Sequence, residues 1–375
     1  MRRRLERLWI ITEKENRTVV TRDEVLKALG TVQDPELRRD LVSAGMIDDV
    51  QITDGRVQFE LILTTPACPL RAQLRDAAKA AVEQISGVKE VAVKVGSRVT
   101  SHRAQEQEDV LPQVSNVIAV ASGKGGVGKS TVAVNLAVAL AEFGAKVGLL
   151  DADIYGPTIP AMMGVNERPK MMDGKIVPIE QHGVKLMSLG FMLNGSPVIW
   201  RGPMVAGAVK QMLTDVNWGE LDYLIVDLPP GTGDAQLTLA QVVPLTGVVV
   251  VTTSQDVALN IASNAASMFS KMNVPILGIV ENMSFFICPG CGYRTDIFSH
   301  GGGDKAAQIT GAPLLGRLPL EPETVEDGDA GSPTVAGRPE SEQAEAFRTL
   351  ASRIAARVSS LDQEECPVLI ERGGV

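Results

Sequence analysis

Asn116-Val-Ile-Ala-Val-Ala121-Ser-Gly123-Lys-Gly-Gly-Val-Gly128-Lys129-Ser130 is the stretch on which the fold turns. Its first six residues form a short, almost unbroken apolar run, the pattern of a strand buried on both faces. From Ser130 to Phe143 the chain is rich in Ala, Val and Leu and long enough for a helix. The glycine segment between them joins strand to helix. There, glycines let backbone N–H groups converge on phosphate oxygens, and the helix N-terminus adds the positive end of its dipole. Gly123, Lys124, Gly125, Gly126, Val127, Gly128, Lys129, Ser130 and Thr131 are therefore the predicted nucleotide-binding residues. Lys129 is expected to reach the β- and γ-phosphates of ATP, and Ser130 to be a ligand of Mg²⁺.

Further apolar runs follow at Val147–Leu150, Tyr223–Val226, Val248–Val251 and Ile276–Val280, with helical segments such as Ala258–Met272 between several of them. Alternation of this kind predicts an α/β fold, a mostly parallel, doubly wound sheet of the P-loop NTPase type. Two of the runs end in carboxylates, at Leu150-Asp151-Ala152-Asp153 and Val226-Asp227. The C-terminal ends of parallel strands lie beside the phosphate loop, so Asp227 is the predicted Mg²⁺-shell residue. Asp153 is expected to position the attacking water, while Asp151 serves either that role or a turn. After Asp227 the chain reads Leu-Pro-Pro-Gly231-Thr-Gly233-Asp234; Gly231 is expected to offer its N–H to the γ-phosphate and to move when that phosphate leaves.

Ahead of this unit, Asp23–Leu29 and Pro69–Ile85 read as helices, and residues 57–63 and 91–95 alternate as half-buried strands. Residues 21–96 thus form a small α+β domain, 97–113 a polar linker and 114–361 the nucleotide domain. Residues 1–20 are an extension without an evident role, and 362–375 a tail. Hydrophobic residues make up 45% of the 375, ample for a globular core. The net charge of −9 disfavours general binding to nucleic acid or to anionic membranes. Neither a signal peptide nor an uncharged apolar stretch of spanning length is present, so a cytoplasmic protein is expected.

Four cysteines in a chain of this length make no disulfide framework. Cys288-Pro-Gly-Cys291 offers two soft thiolates, suited to Zn²⁺ or an iron–sulfur centre. A cubane wants four. Cys68 and Cys366 lie in other segments, so a two-fold axis on which two chains each give a pair is the economical solution. Zn²⁺ at the same place is the alternative. Pro69 fits the first helical position, which puts Cys68 at a helix cap as a candidate reactive thiol.

Lys124, at the front of the loop, resembles the early lysine of the deviant Walker A class that includes MinD and ParA. There that lysine reaches the partner's nucleotide, so the resemblance implies a homodimer. Together with Asp151-Ala-Asp-Ile-Tyr-Gly-Pro157, Trp200-Arg-Gly-Pro203, Asp227-Leu-Pro-Pro-Gly-Thr-Gly-Asp234, Glu281-Asn-Met283 and the cysteine pair, it resembles the Mrp/ApbC family of P-loop iron–sulfur cluster carriers over about Asn116–Leu361. The resemblance implies Asn282 near the adenine, a labile [4Fe–4S] cluster on paired Cys288 and Cys291, slow ATP hydrolysis, and transfer to apo iron–sulfur proteins in concert with cluster scaffold proteins. Residues 21–96 are similar to the cluster-assembly domain often fused ahead of such an ATPase, through Asp34-Pro-Glu36 and Thr65-Pro-Ala-Cys-Pro69. The chain departs from the family pattern at Thr253-Ser-Gln-Asp256 and Asn260-Ile-Ala-Ser263.

Two other functions compete. A ParA/MinD-like positioning ATPase would draw on the stripe Phe347, Leu350, Ile354, Val358 and Leu361, with arginines nearby, although such a stripe more often packs on its own core. A zinc-linked dimeric scaffold would leave the phosphate-loop residues without a use.

Overall fold

The computed structural model describes residues 20–102, 110–153, 156–192, 202–231, 234–255, 264 and 267–361. Residues 1–19, Trp200-Arg201, Asp256–Ser263 and the tail with Cys366 lie outside them. The chain divides into two compact units, one of residues 20–63 and Leu70–Arg98, the other of Thr64–Pro69 and the residues from Val99 onward.

In the first unit, Thr21 and Glu24 form a capping box that starts the helix Arg22–Leu29. Strand Arg56–Leu63 pairs antiparallel with Ile47–Thr53 and parallel with Glu90–Ser97. The helix Arg71–Glu83 makes the crossover that a parallel pair requires. Val57, Phe59, Leu61 and Leu63 alternate inward, as their spacing predicts, onto Leu74, Ala78 and Val82 of that helix. In the Asp34-Pro-Glu36 motif, the Asp34 Oδ1 accepts the N–H groups of Glu36 (2.8 Å) and Leu37 (3.1 Å), a turn in which Pro35 has no N–H to leave unpaired.

The second unit is built on strands β1 (Val114–Ser122), β2 (Val147–Asp151), β3 (Ile179–Gln181), β4 (Val184–Ser188), β5 (Leu221–Asp227), β6 (Gly247–Thr252), β7 (Ile276–Glu281) and β8 (Leu314–Arg317). Among the described residues these form one sheet in the order β3-β4-β2-β5-β1-β6-β7-β8. All neighbours are parallel except β3 and β4. Helices α1 (Lys129–Glu142), α2 (Gly202–Thr214), α3 (Asp234–Val242), α4 (Gly302–Thr310), α5 (Pro322–Asp329) and α6 (Glu342–Ser359) accompany the sheet.

Helix α1 is apolar on every side and buried along nearly its whole length. Its Val132 and Leu136 share one core with Ile118 and Val120 of β1 and with Phe347, Leu350, Ile354 and Val358 of α6. The α6 stripe therefore packs inward, and Arg348 pairs with Glu142 of α1 rather than facing a lipid surface. No helix among the described residues is long and apolar enough to cross a membrane.

The predicted linker is partly built in. Asn116 at the start of β1 donates to the Thr100 carbonyl and accepts from the His102 N–H, which attaches residues 99–102 to the second unit. The Thr64–Pro69 segment also groups with the second unit, not with the small domain to which its sequence position points. Ala67 is buried in the core around α1, and the Thr65 hydroxyl accepts from the buried Tyr223 hydroxyl at 3.1 Å.

Candidate nucleotide and thiolate sites

The parallel register sets carboxylates side by side at the strand ends. Asp227 of β5 stands opposite Asp151 of β2, which stands opposite Ser188 of β4. The phosphate loop leaves the end of β1, beside β5. It enters α1 through Gly128, whose φ of +79° is one that side chains rarely adopt. A cavity of about 440 Å³ opens there, lined on one side by Lys124, the loop glycines, Lys129, Ser130, Thr131 and Asp153, and on the other by Asn282 and residues 319–321. That volume lies in the range of small-molecule sites.

Within the cavity Lys129 Nζ lies 2.6 Å from Asp227 Oδ1 and 3.6 Å from Asp153 Oδ2. The Ser130 hydroxyl donates to Asp227 Oδ2 at 2.6 Å. Asp227 is fully buried; burial pushes its carboxyl up, against the pull of the Lys129 ammonium and the Ser130 hydroxyl. Lysine and serine thus converge on one buried carboxylate. The Asn282 amide donates to the Val127 carbonyl at 2.9 Å, which brings the end of β7 onto the loop.

Asp151 plays a different part from Asp153. It is fully buried and does not line the cavity. Its carboxylate accepts the Ser188 hydroxyl (2.8 Å) and the Asp153 N–H (3.2 Å), so it braces the turn that presents Asp153. Burial, with the nearby Asp227 charge, pushes Asp151 up to about 7.

The Gly231 N–H donates to the Ser122 carbonyl at 2.9 Å, at the end of β1. Thr232 and Gly233 lie outside the described residues. Cys68 does not cap a helix: the helix begins at Arg71 with Leu70 as its N-cap, because Pro69 is held in the segment that belongs to the other unit. Cys68 is buried. The expectation for Lys124 gains a detail that no local signal revealed. The Lys124 ammonium donates to Gln255 Oε1 at 2.7 Å, across 131 positions of sequence, within the same chain.

The cysteine pair sits on a small knuckle. Phe286-Ile287 pairs antiparallel with Arg294-Thr295. Between them the Cys288 N–H donates to the Tyr293 carbonyl, and the Gly292 N–H to the Cys288 carbonyl. The Arg294 guanidinium stacks 3.8 Å over the Phe285 ring and pins the base of the knuckle. Cys291 is exposed and Cys288 half-buried. The N–H groups of Gly290 and Cys291, and then the Cys291 thiol, bond the Cys288 sulfur and hold its thiol below the ordinary value. Both side chains present soft sulfur, and no group of three or more His, Cys, Asp or Glu that could hold a metal ion occurs among the described residues.

Comparison with known proteins gives the same two parts. Residues 113–355 match a family model described as NUBPL iron-transfer P-loop NTPase, and residues 22–95 one described as iron-sulfur cluster assembly protein. The chain is 51% identical over 348 residues to the iron-sulfur cluster carrier protein of Synechocystis sp., covering 91% of this chain and 99% of that one. It is 50% identical over 354 residues to the protein of the same name in Deinococcus radiodurans, with 92% and 99% covered. Among solved structures, a nucleotide-binding protein of Archaeoglobus fulgidus in complex with ADP aligns at a TM-score of 0.57 with 38% identity, covering 64% of this chain and 94% of that one. The glycine loop with its lysine, serine and acidic neighbours, the exposed pair of cysteines and these matches over both units agree: the protein belongs to the P-loop iron–sulfur cluster carrier family, the NUBPL-type iron-transfer NTPases.

Proposed function

We propose that the chain is an ATP-hydrolysing carrier whose cargo is a [4Fe–4S] cluster, held between the Cys288 and Cys291 pairs of two copies and passed to apo iron–sulfur proteins. The observation that carries this reading is the asymmetry between its two sites. One chain gathers the glycine loop, Lys129, Ser130 and Asp153 around one cavity, whereas the knuckle carries two cysteines, one exposed and one half-buried. A cluster bridging two copies supplies the missing pair and stays accessible for hand-over. The carrier names of the relatives support the cargo assignment.

At the nucleotide, Lys129 exchanges Asp227 for phosphate oxygens and stabilises the charge that builds in the transition state. The Ser130 hydroxyl and Asp227 carboxylate, in contact with each other, are the hard oxygen donors that suit Mg²⁺, and these two residues would hold it. When bound, that ion offsets phosphate charge. Asp153 lines the cavity with its backbone fixed by Asp151, and so can orient a water and accept its proton. Lys124, at the loop's front, is the residue through which one subunit senses the other's nucleotide. The buried face of α6 speaks against a membrane-positioning ATPase, and the complete phosphate site against an inert zinc scaffold.

Anaerobic reconstitution tests the reading. About one cubane per two chains is expected by iron and sulfide analysis. Zinc retained in place of iron, or a full cluster on a single chain, would overturn it.

A further inference from the structure

We propose that Glu281 is a positioning residue that couples the nucleotide loop to the cysteine knuckle, by clamping both ends of the knuckle segment to the strand end that holds Lys124.

Glu281 is buried at the end of β7, where a carboxylate persists only if donors satisfy it. Three do. Its Oε1 accepts the hydroxyls of Ser254 and Ser284, and its Oε2 accepts the Gly303 N–H. Ser284 and Gly303 bracket the excursion that carries Cys288 and Cys291, so one side chain ties its beginning to its end. Gly303 lies in the first turn of α4, whose N-cap Gly301 brings no side chain, so a carboxylate there also complements the helix dipole.

A helix cap alone would need only the Gly303 contact. The Ser254 contact reaches elsewhere. Ser254 precedes Gln255, which holds the Lys124 ammonium at 2.7 Å. Glu281 itself precedes Asn282, which holds the Val127 carbonyl. The Phe285 carbonyl, at the foot of the knuckle, accepts the N–H of Leu320, a cavity wall residue, at 2.7 Å. The seam has no slack: a Cβ on Gly302 would meet Ser254 Cα at 2.5 Å, and one on Gly303 would meet Glu281 Oε2 at 2.5 Å. A nucleotide that draws Lys124 or Asn282 toward itself therefore pulls on the same packed seam that sets the knuckle's two ends. Such a seam has discrete arrangements rather than a soft continuum.

The inference rests on the proposed function for its biological meaning, but the thiols report it without a cluster. In the full-length apo chain, maleimide labelling of Cys288 and Cys291 is followed by peptide mass spectrometry, with and without Mg²⁺ and a non-hydrolysable ATP analogue. The wild type is expected to change its labelling rate about fivefold or more on nucleotide binding, the lower end of usual coupling strengths. Ser254→Ala cuts only the link between the Gln255 segment and Glu281. It should bind the analogue within about twofold of wild type yet lose most of the rate change. Glu281→Ala removes the acceptor of all three donors and should abolish the response; where that variant fails to fold, Ser254→Ala decides. A Ser254→Ala protein that responds like wild type, or a wild type that does not respond, overturns the clamp. A wild type that responds but takes up no iron or sulfide leaves the clamp standing and removes the carrier reading.

Discussion

The Asn282 side-chain amide donates to the Val127 carbonyl across 2.9 Å, so the end of β7 and the phosphate loop hold each other before nucleotide binds. The loop has no room beside this contact. A Cβ on Gly128 would stand 2.2 Å from Asn282 Nδ2, at a φ of +79°. Gly128→Ala should therefore abolish ATP binding and cost about 1–3 kcal/mol of stability. Asn282→Ala should weaken ATP binding about tenfold, the worth of a hydrogen bond lost with its partner left unpaired. Titration calorimetry checks both, and wild-type affinity in Asn282→Ala would remove the residue from the site.

Lys129→Ala should eliminate hydrolysis and also unsettle the nucleotide-free fold. It leaves the buried Asp227 without its cation, a loss of about 3–5 kcal/mol when a buried pair is broken. Asp153→Ala, at the cavity wall, should leave urea unfolding and ATP binding near wild type while slowing turnover. Normal turnover in that variant would move the water-positioning role to another group.

Cys288→Ala or Cys291→Ala should abolish cluster binding and leave ATP affinity intact, because the knuckle is a local excursion. Iron and sulfide content after anaerobic reconstitution measures this. A variant that keeps its full complement would refute the ligand assignment.

Asp151 gives stability a pH dependence. It titrates near 7 in the fold against 3.8 for an ordinary Asp, so between those values the folded chain keeps a proton that the unfolded chain has lost. Stability from this group is full below about pH 4, falls as pH rises toward about 7, and changes no further above. The slope inside the window approaches about 1.4 kcal/mol per pH unit. Urea unfolding of wild type and Asp151→Asn at pH 5 and pH 8 should show the wild type losing ground to the variant at the higher pH. A constant difference between the two would mean that Asp151 is ionised throughout.

Lys124→Ala should weaken the link between cluster and nucleotide more than it weakens ATP binding itself. Nucleotide affinity of apo and cluster-loaded protein, compared in both variants, measures that link, which must be equal in the two directions. An unchanged ratio would confine Lys124 to its contact with Gln255.

The strand–loop–helix setting of the glycine motif was legible because the motif is local. Gly123 to Thr131 sit between one strand and one helix, and the acidic ends at Asp151, Asp153 and Asp227 mark strands whose burial shows as apolar runs. Predicted strands fell within one or two residues of β1, β2, β5, β6 and β7. Strands β3, β4 and β8 were not read, since Ile179–Gln181 is too short to show a period, Val184–Ser188 carries a lysine, and Leu314–Arg317 contains Gly and Arg. The position of Cys68 was misread because Pro69 suggests a helix start, whereas tertiary packing takes that segment into the other unit. Glu281 stood in the sequence only as part of the Glu281-Asn-Met283 motif; its role was not legible, because its donors, at positions 254, 284 and 303, come together only in the fold.

Helix α1 is sealed on one side by α6, the last helix among the described elements, some two hundred positions later in the chain. On the ribosome, the phosphate loop and its helix emerge early but keep an uncovered apolar flank until Phe347 to Val358 leave the exit tunnel. A nascent chain is thus expected to gain ATP competence only once α6 has emerged to cover α1. The knuckle with Cys288 and Cys291 emerges before that. The two thiols are thus made before the helix that seals the core around α1.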